Sequence, residues 1–183
     1  MKHSFAIHLI AACALATGAS SAFSHIVLQD GAAAGNASYR ATFRVSHGCD
    51  GAATTGIKVS IPAGFTGAQP MPKAGWTVRA VSGKLAEPYT SHGKTFTDGV
   101  VEINWMANTP ENALPSDFYD EFVLRGTTPA KPGPLWFKVV QTCTQGSAAW
   151  VDVPAEGTST KGMKNPAALL EVLDIQAVGG HNH

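Results

Sequence analysis

The chain of 183 residues carries 13 basic and 13 acidic residues, and only 14% of its side chains are charged while 44% are hydrophobic. That balance supplies no basic patch for nucleic acid or an anionic membrane surface. The length suits one domain with a core of its own.

Met1-Lys2-His3 precede an apolar, Ala-rich run from Phe5 to Ala16, and small residues then lead to Ala22-Phe23-Ser24. Ala22 and Ser24 occupy the small-residue positions that signal peptidase reads. The run is shorter than the roughly 20 apolar residues of a spanning helix. Residues 1–24 are expected to be a cleaved signal peptide, residues 25–178 the domain, and residues 179–183 a loose tail carrying His181 and His183. Export then implies the periplasm. A competing lipoprotein box, Ile10-Ala11-Ala12-Cys13, would shorten the apolar region and leave Ala22 and Ser24 unexplained. Loss of Lys2 leaves the mature chain with one more acidic than basic residue.

Turn residues punctuate the rest, with β-branched or aromatic alternation between them. Strands are expected over 25–29, 38–46, 54–61, 76–81, 100–106, 118–124, 135–142 and 149–153. In the second, Tyr39, Ala41, Phe43 and Val45 share one face, and Arg40, Thr42 and Arg44 the other. Asn165 to Val172 admits a turn of helix, but Leu170 to Ile175 reads better as a last strand. Short alternating strands separated by turns indicate an all-β sandwich. The four tryptophans, Trp76, Trp105, Trp136 and Trp150, read as core.

The mature chain keeps two cysteines, Cys49 and Cys143. In an oxidising compartment these most simply form one disulfide; a thiolate metal pair fits less well, because their spacing matches no common motif.

A cut at Ser24–His25 would place an α-amino nitrogen and imidazole Nδ1 on one residue, able to chelate a metal in a six-membered ring. Such nitrogen ligation suits Cu(II). His47, in Ser46-His47-Gly48-Cys49, is the second candidate ligand, or else a turn histidine beside the disulfide. Antiparallel pairing of the first two strands across Gly31–Asn36 is expected to separate His47 from His25; a first strand on another sheet edge would let them meet. One of Asp120 and Glu121 is expected to face inward, where a buried carboxylate needs a partner. Glu102 reads as a solvent-face residue, and His181 and His183 as an accessory site. No nucleophile–base pair, phosphate loop or zinc motif occurs.

The signal peptide followed at once by His25-Ile26-Val27-Leu28, then Ser38–Val45, Ile61-Pro62, Pro70-Met71-Pro72-Lys73-Ala74-Gly75-Trp76-Thr77 and Tyr119-Asp120-Glu121-Phe122, resembles the YcnI-type periplasmic copper-binding domain over essentially the whole mature chain. The resemblance implies an immunoglobulin- or cupredoxin-like β-sandwich. It also implies Cu(II) held by a single-histidine brace with a carboxylate and a nearby tryptophan, and a role in copper binding, storage or delivery beside another periplasmic or membrane copper-handling protein. The brace falls on His25. Where many relatives have a Glu after Arg44-Val45, this chain has Ser46-His47, which makes His47 the replacement ligand, with Glu121 the fallback carboxylate and Trp150 the tryptophan. A non-enzymatic copper chaperone or buffer is the leading expectation. A copper oxidative enzyme of the monooxygenase type, or a metal-free interaction sandwich, are the alternatives.

Overall fold

The alternation in the sequence becomes a pleated surface with one apolar face. The computed structural model describes residues 25–174; the expected signal peptide and the tail histidines lie outside the described residues. Eleven strands run in chain order: β1 (Val27–Leu28), β2 (Ala32–Ala34), β3 (Ser38–Val45), β4 (Thr54–Ser60), β5 (Thr66–Pro70), β6 (Trp76–Ser91), β7 (Lys94–Ala107), β8 (Asp120–Thr127), β9 (Gly133–Cys143), β10 (Ser147–Trp150) and β11 (Ala168–Leu173). The last of these settles Asn165–Val172 in favour of a strand. Among the described residues no helix is long and apolar enough to cross a membrane.

Two sheets form a sandwich. One has the order β1-β3-β8-β5; the other runs β2-β11-β9-β4-β7-β6, with β10 added beside β9. Phe43, Phe122 and Leu124 of the first sheet meet Ile57, Trp105, Phe137 and Val139 of the second, all buried at 1% exposure or less. The rings interlock edge to face across the gap, Phe43 on Phe137 at 5.5 Å and Trp105 on Phe122 at 5.9 Å between centroids. Burial of each such side chain stabilises the fold by roughly 2–3 kcal/mol against leaving it exposed.

Three of the four tryptophans are buried, as the alternation implies; Trp136 faces the other way and is half-buried. Phe118 and Tyr119 depart from the expected core. Both lie ahead of β8 on a turn, 59% and 67% exposed.

Candidate metal centre

His25 is held by the residue after it. Ile26 and Leu28 point into the core at 3% and 7% exposure, and β1 pairs antiparallel with β3 in the register Val27 to Arg44 and Leu28 to Phe43. Continuing that register puts His25 opposite Ser46, one residue before His47. The expectation that antiparallel pairing drives the two histidines apart is therefore wrong. In an antiparallel pair the start of one strand lies beside the end of the other, so this pairing is what brings them to one end of the sandwich.

There both imidazoles meet the same indole. The Trp150 ring, 3% exposed on β10, lies 5.7 Å from the His25 ring and 6.3 Å from the His47 ring between centroids. The first sheet thus supplies two half-buried histidines and the second supplies the tryptophan that both rings contact. His47 borders a cavity of about 510 Å³, lined also by Asp50, Ser116, Trp150, Lys164 and Asn165.

The loop that carries His47 is tied down at each residue. Gly48 N–H donates to Ser116 Oγ at 3.1 Å. A Cβ at Gly48 would fall 1.6 Å from the Ala52 carbonyl oxygen, so only glycine permits this approach. Cys49 is bonded to Cys143 of β9, with Cα atoms 6.0 Å apart, as expected from the two mature cysteines. His47 Nδ1 lies 2.8 Å from the Gly48 carbonyl oxygen. A carbonyl only accepts, so Nδ1 carries a proton, and the neutral ring in that tautomer would ligate a metal through Nε2.

Beneath the loop lies Gln141, which the sequence reading passed over. It is 1% exposed on β9. Its Nε2 donates to the His47 carbonyl and to Thr54 Oγ1, each at 2.7 Å, and its Oε1 accepts from Trp150 Nε1 at 3.2 Å. The signal was present: Leu135, Phe137, Val139, Gln141 and Cys143 alternate as one inward face, with a single amide among apolar residues.

Glu121 stands elsewhere. It pairs with Arg44, which in turn pairs with Val27. That sets Glu121 two strands, or roughly 10 Å, across the sheet from the row of β1. The inward phase belongs to its neighbour Asp120, opposite the buried Val45, and Lys73 neutralises that carboxylate at 2.7 Å. Among the described residues no three His, Cys, Asp or Glu side chains converge on a point where a metal would sit. The side chains at the Trp150 end therefore offer two imidazoles, and a free amine on His25 would be the third nitrogen.

The conspicuous Pro72-Lys73-Ala74-Gly75-Trp76 segment serves the fold. Lys73 Nζ also donates to the Glu121 carbonyl at 3.2 Å and stands 4.9 Å over the Phe122 ring. Trp76 packs edge-on against Phe122 at 5.0 Å.

Comparison with known proteins matches this frame. The family model described as Domain of unknown function (DUF1775) covers residues 25–172, beginning at His25. The chain is also similar to an uncharacterized protein from Nocardia farcinica, whose crystal structure reveals an immunoglobulin-like fold. The two are 24% identical with a TM-score of 0.61, over 81% of this chain and 97% of that one, a likeness that establishes the fold alone. No curated protein matches the chain. A β-sandwich of immunoglobulin-like fold, this chain belongs to the DUF1775 family, the family of the YcnI-type domains.

Proposed function

We propose that the mature protein binds Cu(II) at the Trp150 end of the sandwich and acts in periplasmic copper storage, buffering or delivery. One observation carries the reading: the imidazoles of His25 and His47 both lie against the Trp150 indole. Two imidazoles and the α-amine of His25 make a three-nitrogen set of the kind Cu(II) favours. The amine ligates only when neutral, and its reference pKa near 8 lets the metal displace that proton readily near neutral pH. His47 stands in for the carboxylate that relatives place after the same strand, and Glu121 on the open face is the fallback.

The test is at the terminus. Adding one Ser ahead of His25 turns the amine into an amide, a far poorer ligand near neutral pH, while the imidazole stays. Cu(II) affinity, read by competition titration, should fall by at least 100-fold with the apo melting temperature unchanged. A Ser-extended protein that binds as tightly as the mature one would sink the brace and turn attention to His181 and His183.

A copper oxidative enzyme is the second reading. Phe118 and Tyr119 favour it, because two exposed rings follow closely on Ser116, the residue that holds Gly48. Oxidation of a reductant with oxygen or peroxide, turning over on the copper-loaded protein, would select this reading; stoichiometric binding without turnover would select the first.

A further inference from the structure

We infer that Gln141 is a positioning residue that sets the His47 ligand and the Trp150 indole relative to each other. The inference rests on the copper reading above. Gln141 touches no ligand atom; it holds the backbone of one partner and the ring of the other.

The chemistry of its three neighbours fixes how the amide points. Indole Nε1 can only donate and the His47 carbonyl can only accept. One orientation of the amide therefore satisfies both, with Oε1 toward Trp150 and Nε2 toward His47, and the flipped amide would break both contacts. Thr54 Oγ1, itself on a fully buried residue, takes the second Nε2 proton. All the polar atoms of the side chain are thus committed, and among the described residues no buried side-chain polar atom is left without a partner.

A buried amide is costly to leave unpaired, roughly 1–3 kcal/mol for each orphaned group. That cost couples the parts. If the His47 carbonyl swings away, the amide loses its acceptor, and if the indole turns, the amide loses its donor. The same strand continues to Cys143, so the disulfide and the amide fix the His47–Cys49 loop from two successive inward positions of β9. The His47 imidazole then has little freedom to move relative to the ring it shares with His25. Groups hydrogen-bonded directly to a metal ligand commonly alter affinity 10- to 100-fold when removed; Gln141 acts one bond further out, which puts its effect at the low end of that range.

The test uses the mature chain, residues 25–183, with Cu(II) as probe. Gln141→Met keeps the volume and removes every hydrogen bond. Cu(II) affinity is expected to fall about tenfold, with a changed paramagnetic resonance spectrum and altered quenching of tryptophan fluorescence by the metal. A residue that merely supports the fold would lower the apo melting temperature and leave the spectrum of the folded, loaded protein as it was. His47→Ala, measured alongside, separates the two levels of the argument. If His47→Ala changes spectrum and affinity while folded Gln141→Met keeps both native, Gln141 has no positioning role. If His47→Ala also keeps both native, the ligand assignment fails and the inference goes with it. Should Gln141→Met not fold, Thr54 decides: Thr54→Val, which removes the hydroxyl that holds the amide, should shift the spectrum in the same direction, and Thr54→Ser should restore it. A native spectrum in Thr54→Val would overturn the proposal.

Discussion

Two polar knots tie the sheets of this sandwich together, and they are built on opposite principles. At the Lys73 knot a charged side chain reaches in to an ion pair with Asp120, and both groups keep some contact with solvent, at 18% and 37% side-chain exposure. At the Gln141 knot the side chain is neutral, buried, and satisfied by three fixed partners. The charged knot comes from the conspicuous motif and secures the packing of Trp76 and Phe122. The inconspicuous neutral one joins the His47 loop to the Trp150 indole. A neutral amide imposes orientation without adding a charge, whereas a lysine in its place would, under the proposed reading, repel the bound cation.

Removing the covalent tie beside the neutral knot should have the largest effect. The Cys49–Cys143 bond links residues 94 apart in sequence, and closing such a loop stabilises by about 4–5 kcal/mol in the chain-entropy model. The Cys49→Ser, Cys143→Ser double variant should lose stability on that order in denaturant unfolding. Thiol counting on the unreduced, unfolded mature protein should find none free; two free thiols would show the bond absent.

Tyr39 extends the comparison to a buried group that is neutral only while protonated. It is 6% exposed, and its hydroxyl donates to the Asp30 carbonyl. Burial, with the nearby Asp30 charge, pushes its pKa up from 10.0 to about 12. The folded state therefore holds the proton more tightly than the unfolded chain. The resulting stability is fully present below pH 10 and is lost as the pH rises through 10 to 12. Two pKa units amount to about 3 kcal/mol, so unfolding free energy should drop by up to that amount across the window, and Tyr39→Phe should flatten the slope. An equally steep drop in Tyr39→Phe would assign the alkaline loss to another group.

The smallest effect belongs to the charged knot. Lys73→Met keeps an apolar side chain and removes the ammonium that pairs with Asp120 and stands over Phe122, with an expected loss of about 1–2 kcal/mol, because the half-exposed pair is already partly screened by water. Its Cu(II) spectrum should match that of the unaltered protein. A changed spectrum would mean that the two knots are coupled and the contrast between them is false.

How much of this was legible in the sequence follows from where side chains alternate. Strands with one apolar face, such as Ser38–Val45 and Gly133–Cys143, could be read directly from their period of two. β5 could not, because Gly67 and Pro70 read as turn residues, and only its pairing with β8 makes Thr66–Pro70 a strand. The β6–β7 hairpin runs well past its expected ends, through Gly83 and Pro88. Its outer part holds no buried residue, and the half-exposed positions that alternate at Val81, Gly83 and Leu85 are interrupted by the glycine, so the period is weak in the sequence. His25 and His47 were recognised as candidates from residue type, but their meeting depends on strand register, which is a property of the pairing. Gln141 was visible as a polar break in an apolar face; its partners were not.

The shortness of β1 has a consequence for the order of events in the cell. Only Val27 and Leu28 form its ladder, at the open edge of a sheet, and the residue ahead of Ile26 is the one whose amine the proposed site requires. An uncut precursor would carry an amide there and a mis-cut product starting at Ile26 would carry no imidazole. Under the proposed reading, the protease that releases the chain from the membrane also activates it, and its single-residue accuracy sets the fraction of molecules able to take up metal. Under that reading, a chain that still carries its leader lacks the terminal amine and so lacks the complete site.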